Sequence, residues 1–145
     1  MSLPSTARIT RSVRFSAAHR YHNPALSDDE NRRVFGLCNR PHGHGHNYRV
    51  DVTLEGAVDP ITGMVMNLAD LDRLLQQSVV QPLDHTFLNF DVPHFSGTIP
   101  TCENLALYLY GELHRLQPQF AGARLLGVRV WESDDLYAEA GEVGA

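Results

Sequence analysis

From His44 onward the chain alternates strictly. His44, His46, Tyr48, Val50, Val52 and Leu54 occupy every second position, with Gly45, Asn47, Arg49, Asp51 and Thr53 between them. Side chains at i and i+2 of an extended segment share a face, so this run demands a half-buried strand whose inner face begins with two imidazoles. The preceding residues, Cys38-Asn39-Arg40-Pro41-His42-Gly43, are mostly turn formers. One cysteine and three histidines therefore fall within nine residues.

Two imidazoles placed this way can grip a single metal ion. Zinc takes neutral imidazole nitrogens and, in catalytic sites, three protein ligands with a fourth position open, so a third ligand is needed. The first strand, residues 8 to 20, supplies one: Ile9, Val13, Phe15 and Ala17 share a parity that ends in His19. Alone, His19 reads as a core side chain; beside two inward histidines on a second strand it reads as a ligand. His42 and His44 form another H-x-H pair of the same parity, and spacing alone leaves both pairs open. His44 and His46 are preferred, because His46 leads directly into the alternation and Pro41 assigns His42 to the incoming turn.

Length and charge bound the rest. A chain of 145 residues is expected to form one domain, 1–145. A net charge of -5 and a pI near 5.8 speak against nucleic acid as a partner. All twelve basic residues are arginines, which suit bidentate phosphate contacts. Two cysteines make no disulfide framework and the N-terminus lacks the apolar core of a signal peptide, so the expected setting is reducing and cytoplasmic. No apolar run is long enough to predict a membrane span.

Taken in order, residues 1 to 6 are expected to be a loose end and residues 8 to 20 a strand. Ser27 with Glu30 three positions on is a capping box opening a short helix that Gly36 stops. The second strand covers 46 to 55, and Met64-Val65-Met66 is a candidate strand piece. Asn67 caps a helix with Leu68, Leu71, Leu74, Leu75 and Val79 on one stripe, ended by Pro82. Thr101 caps another, carrying Leu105, Tyr108, Leu109, Leu113 and Leu116 and closed by Pro118. Strands at Leu125 to Glu132 and Leu136 to Glu139 complete an α+β domain: a four-stranded antiparallel sheet with two helices on one face and two open edges.

Several residues could complete a site. Cys38 would be mostly protonated at neutral pH unless a cation lowers its pKa. Asp84 and His85 form a possible orienting dyad, although adjacent residues rarely face one point; a turn or cap is the simpler reading of Asp84. Glu132 ends an apolar strand face, where a carboxylate needs either an arginine or a ligand edge rich in N–H donors, such as that of a pterin or guanine. Glu103 favours the helix dipole, and Cys102 reads as structural.

In their order and spacing these residues resemble the 6-pyruvoyl tetrahydropterin synthase family from about residue 8 to about residue 140. The resemblance rests on Phe15-Ser16-Ala17-Ala18-His19, Cys38 with His44-Gly45-His46-Asn47-Tyr48, Asp59-Pro60-Ile61-Thr62-Gly63-Met64-Val65-Met66-Asn67-Leu68, Pro82-Leu83-Asp84-His85, Glu103-Asn104 and Trp131-Glu132. It implies the tunnelling fold, in which three subunits close their sheets into a barrel and two rings stack as a homohexamer. The implied substrate is 7,8-dihydroneopterin triphosphate. It further implies Zn2+ on His19, His44 and His46, Cys38 as the proton-abstracting thiolate and Asp84 with His85 as a proton relay. Glu132 would anchor the pterin ring, with Glu103, Thr101 and Cys102 beside it and Arg14 or Arg20 meeting the triphosphate.

His42 stands where the family commonly has asparagine, Ala18 where it has serine, Cys102 where it has threonine and Trp131 where it has tyrosine. A related group, the 6-carboxytetrahydropterin synthases of queuosine biosynthesis, cleaves the side chain of the same substrate and releases acetaldehyde. That group has three residues between the cysteine and H-G-H. Five residues separate Cys38 from His44, the pyruvoyl type, but three separate it from His42. The Asn47-Tyr48 that follows His46 favours the longer count. A zinc hydrolase with Glu132 as base, or a non-catalytic pterin-binding or zinc module, are the readings from other classes.

Overall fold

The computed structural model describes residues 5–142. Strand β1 (Thr6–His19) and strand β2 (His44–Ala57) pair antiparallel along their whole length, with Phe15 opposite Tyr48, Ala17 opposite His46 and His19 opposite His44. Between them, the capping box of Ser27 and Glu30 opens helix α1 (Asp28–Phe35), and Gly36 ends it at a positive φ of 57°. A single 3-10 turn, Gly36–Asn39, then carries Cys38.

Asn67 caps helix α2 (Leu68–Leu75) through its side chain, as the pattern predicts. Leu71, Leu74, Leu75 and Val79 are buried, whereas Leu68, in the first turn, faces outward at 45% exposure. Pro82 does not end the helical path. A π-turn over Gln76–Val80 intervenes, in which the Gln81 N–H donates to the Gln76 carbonyl, and Pro82 then falls in the opening turn of the three-residue helix α3 (Gln81–Leu83). The change of hydrogen-bond register puts the proline where its missing N–H costs little.

Strand β3 is only Thr86–Phe87, followed by the turn α4 (Leu88–Asp91). Helix α5 (Cys102–His114) is capped by Thr101 and buries Leu105, Ala106, Leu109 and Leu113. Strands β4 (Arg124–Ser133) and β5 (Leu136–Gly141) complete the sheet. Met64-Val65-Met66 forms no strand; that segment packs Met66 into the core instead.

The sheet order is β3-β1-β2-β4-β5. The four expected strands are present and antiparallel, but a fifth, β3, adds parallel to β1 at Ala17 and Ala18, so the sheet is mixed. Two residues carry too little periodicity to be read as a strand; the neighbouring edge of β1 recruits them. β1 also begins two residues before the alternation that predicts it, at Thr6, and residues 1–4 lie outside the described part.

β2 is central, and its Val50, Val52 and Leu54 are fully buried under α2 and α5 together with Phe15, Val128 and Val130. Each such side chain contributes roughly 1.5–3 kcal/mol through burial. The opposite face is polar. It carries side-chain pairs across the strands, including Thr10 with Thr53 (2.8 Å), Ser12 with Asp51 (2.5 Å) and Ser16 with Asn47 (2.6 Å). Trp131 also lies there, its Nε1–H donating to Asp51 (2.9 Å) and the Arg49 guanidinium standing 4.5 Å over its ring.

Gly43 fixes how the chain enters β2. Its φ is 67°, and a Cβ built on it would stand 2.6 Å from the His19 carbonyl oxygen and 2.7 Å from the Phe87 ring. Gly43→Ala is expected to lower stability by about 2 kcal/mol, combining a left-handed alanine with a backbone clash. Chemical denaturation of the two proteins checks this, and equal midpoints would refute it.

Candidate active site

The register of β1 on β2 brings three imidazoles to one end of the core. His19 is fully buried, and its Nε2 is 3.3 Å from His44 Nε2. One ring nitrogen from each of His19, His44 and His46 lies within 4.8 Å of the other two. His42 is exposed and outside this group, so the cluster takes the H-x-H pair of His44 and His46.

The donor set suits a divalent metal. Tetrahedral ligands at 2.0–2.1 Å stand about 3.3 Å apart, the separation of His19 from His44. His19 must also be neutral to ligate, and its surroundings keep it so. Burial first, then the charges His46 and His44 would carry, push its pKa down to about 3. His19 Nδ1 is 2.9 Å from the Tyr48 hydroxyl, a partner that can hold the proton on Nδ1 and leave the Nε2 lone pair facing the cluster.

Glu132 closes the group. Its Oε1 lies 3.4 Å from His46 Nε2 and 3.5 Å from His19 Nε2, and the carboxylate is 9% exposed. Among the described residues no arginine pairs with this buried carboxylate. Besides the imidazoles it accepts a hydrogen bond from the Tyr21 hydroxyl at 3.3 Å.

Cys38 Sγ is 3.9 Å from His44 Nε2. The loop carrying it is pinned at several points: the Tyr21 N–H donates to the Cys38 carbonyl (2.8 Å), and buried Asn39 donates from Nδ2 to the Tyr21 carbonyl (2.7 Å). Buried Asn31 braces the segment before it by donating to the carbonyls of Asn23, Leu26 and Ser27. Burial, then the charge of Glu132, raises the Cys38 pKa above its ordinary value, so the protein alone keeps it a thiol at neutral pH.

Asp84 and His85 do form a dyad, with Oδ2 and Nδ1 2.9 Å apart. A positive φ of 61° at His85 turns these adjacent side chains together. Both are tied to the edge of β1, Asp84 Oδ1 accepting from the Ser16 N–H (2.8 Å) and the His85 N–H donating to the Ser16 carbonyl (2.7 Å). The Ser16 N–H first, then the His85 imidazole, hold the Asp84 carboxyl below its usual range. The His85 side chain is 85% exposed and borders a cavity of about 330 Å³ lined by Ser16, Ala18, Gly45 and Asn47. Among the described residues the side-chain partner of Cys38 is His44, not His85.

At the start of α5, Thr101 accepts from the Asn104 N–H as the cap, and Glu103 is exposed in the first turn. Cys102 is buried, its thiol donating to the Val130 carbonyl (3.1 Å), and burial raises its pKa to about 11. The segment also reaches the histidines, the Pro100 carbonyl opposing in small part the fall of the His19 pKa. Arg14 belongs to the polar face of the sheet, beside Asn47, Arg49 and Trp131. Arg20 lines a cavity of about 530 Å³ with Arg32, Leu37, Asn39 and Arg40, around the loop of Cys38.

Tyr21 is the residue that strand reading misses. It continues the parity of Phe15, Ala17 and His19 two positions past the end of β1, and that continuation is the signal that could have found it.

The sequence profile of the family described as 6-pyruvoyl tetrahydropterin synthase matches residues 8–142. The chain belongs to the 6-pyruvoyl tetrahydropterin synthase family. It is a 6-pyruvoyl tetrahydropterin synthase-like lyase, 48% identical over 129 residues to the human 6-pyruvoyl tetrahydrobiopterin synthase, a match spanning 89% of this chain and 87% of the human one. The solved structure of the Caenorhabditis elegans 6-pyruvoyl tetrahydropterin synthase superposes with a TM-score of 0.87 at 38% identity, over 97% of this chain and 99% of that one. A putative 6-carboxy-5,6,7,8-tetrahydropterin synthase of Archaeoglobus fulgidus is 40% identical over 96 residues, 66% of this chain and 73% of the relative. No helix among the described residues is long and apolar enough to cross a membrane.

The suppressed His19 pKa gives the metal-free protein a defined acid sensitivity. Above about pH 6.5 the imidazole is neutral whether folded or unfolded. As pH falls from there toward 3, the unfolded chain takes up a proton that the folded chain refuses, so stability drops by up to about 4 kcal/mol across that window. Unfolding midpoints of metal-free protein measured against pH should show the loss, and His19→Gln should flatten it between pH 6.5 and 4.

Proposed function

We propose that the chain converts 7,8-dihydroneopterin triphosphate to 6-pyruvoyl tetrahydropterin with loss of triphosphate. The observation that carries this reading is the closed group of His19, His44, His46, Cys38 and Glu132 at one end of the core. Zn2+ held by the three histidines would act as a Lewis acid on the side-chain hydroxyls of the substrate, acidify the neighbouring C–H bonds and favour the Cys38 thiolate.

The protein groups then divide the proton work. Cys38 Sγ takes the C1′ proton, whose electron pair reduces the ring C6=N5 bond, and once C6 is reprotonated the C1′ hydroxyl is left as a carbonyl. Loss of the C2′ proton then expels triphosphate from C3′ with its C–O bond, and the enol left behind becomes the C2′ ketone with a C3′ methyl. His85, oriented by Asp84, returns a proton to carbon. A metal on the three histidines that held the hydroxyls of the substrate would leave the amino-pyrimidinone edge of the ring several ångströms away. Glu132, within 3.5 Å of two imidazole nitrogens, therefore serves the reacting end. Glu103, with Thr101 and Cys102 at the start of α5, is left to meet the ring. Arg20, whose cavity surrounds the Cys38 loop, is favoured over Arg14 for the triphosphate.

The exposed His42 supports the count of five residues from Cys38 to the first chelating histidine, the spacing of the pyruvoyl type. With zinc-loaded protein, mass spectrometry should find triphosphate and 6-pyruvoyl tetrahydropterin and little acetaldehyde. Acetaldehyde with 6-carboxytetrahydropterin would instead assign the protein to the queuosine branch.

The sheet edges at β3 and β5 and the outward His85 also support a homohexamer built as a dimer of trimers, with His85 serving a neighbouring subunit; the reading retains the expected cytoplasmic setting. In that arrangement, mixing Cys38→Ala with His85→Ala subunits restores activity at sites that draw an intact residue from each. Mixed oligomers as inactive as either parent would exclude a shared site.

A further inference from the structure

Glu132 is held by one uncharged donor whose other contacts lead back to the same site. The Tyr21 hydroxyl donates to Glu132 Oε1 at 3.3 Å, and the Tyr21 ring packs 4.7 Å from the His19 ring, centroid to centroid. Phe35, the last residue of α1, lies edge-on against its outer side at 6.1 Å. The Tyr21 backbone is equally constrained, its N–H bonded to the Cys38 carbonyl and its carbonyl to Asn39 Nδ2. The same tyrosine thus touches His19 and Glu132 through its ring and hydroxyl and holds the loop of Cys38 through its backbone.

We propose that Tyr21 is a positioning residue for the reaction, its hydroxyl fixing the Glu132 carboxylate against the imidazole cluster at the distance needed to work on the side chain of the substrate. The inference rests on the reading of Glu132 as a group of the reacting end. A carboxylate has two oxygens and several acceptor directions, and neither His19 nor His46 donates to it once both give their Nε2 lone pairs to a metal. Among the described residues Tyr21 is then the side-chain donor left to choose its rotamer. Its ring stays in place through His19 and Phe35, so the hydroxyl can be removed without removing the packing.

Tyr21→Phe and Tyr21→Leu, each alone and combined with Glu132→Ala, separate positioning from packing. Tyr21→Phe is expected to lower kcat about tenfold, the scale of a hydrogen bond to a charged group. KM, zinc content and the unfolding midpoint should stay at wild-type values. In the Glu132→Ala background, where slow product accumulates over hours at high protein concentration, Tyr21→Phe should have no further effect. Tyr21→Leu should lose zinc affinity as well, because it removes the ring from His19. The proposal is overturned if Tyr21→Phe turns over at the wild-type rate, or costs the same factor with and without Glu132. A Glu132→Ala protein of undiminished kcat would instead overturn the reading of Glu132 on which the proposal stands.

Discussion

The antiparallel register of β1 on β2 is the constraint from which the site follows. With Ala17 opposite His46 and His19 opposite His44, three imidazoles from two distant segments reach one end of the core. A slip of one residue would turn every side chain of β1 to the other face, sending His19 to solvent and Arg14 inward. Phe15 stacked on Tyr48, with ring centroids 4.9 Å apart, secures the register directly below the histidines. On the other face the cross-strand polar pairs reinforce it. The apolar packing that stabilises the fold is therefore the same packing that sets the spacing of the cluster.

The cluster gathers groups that would repel each other if they were charged. Burial and mutual repulsion keep His19 neutral, and Glu132 supplies the negative charge that accompanies the histidines in the protein itself. The same burial and the same carboxylate raise the Cys38 pKa. A bound cation would reverse that tendency, because it compensates the carboxylate and draws the thiol proton off. On the proposed function, reactivity at Cys38 would follow occupancy of the histidine site.

The pairing of Asp84 with His85 depends on local backbone geometry. The π-turn in Gln76–Val80 admits Pro82 to the helical path, α3 ends at Leu83, and the next two residues dock onto Ser16 before β3 pairs with Ala17 and Ala18. A left-handed histidine costs energy, offset here by two hydrogen bonds to the strand edge. The outcome is a dyad held against β1 with its imidazole turned outward.

Much of this was legible in the residues themselves. Period-two alternation named the inner faces of β1 and β2, capping residues located α1, α2 and α5, and parity placed His19, His44 and His46 on a common side, because these signals reside in consecutive side chains. The resemblance of motif order to a known family supplied the roles proposed for Cys38, Asp84 and His85. Tertiary structure alone decided the rest. Which H-x-H pair joins the cluster depended on Gly43 approaching the His19 carbonyl; whether Asp84 and His85 meet depended on a φ that a non-glycine residue rarely adopts. The strand β3 exists only because β1 offers an edge, and the partners of Glu132 come from segments more than eighty positions away. Contacts between residues distant in sequence leave no periodic trace in it, and that is why the elements could be read directly while the polar partners could not.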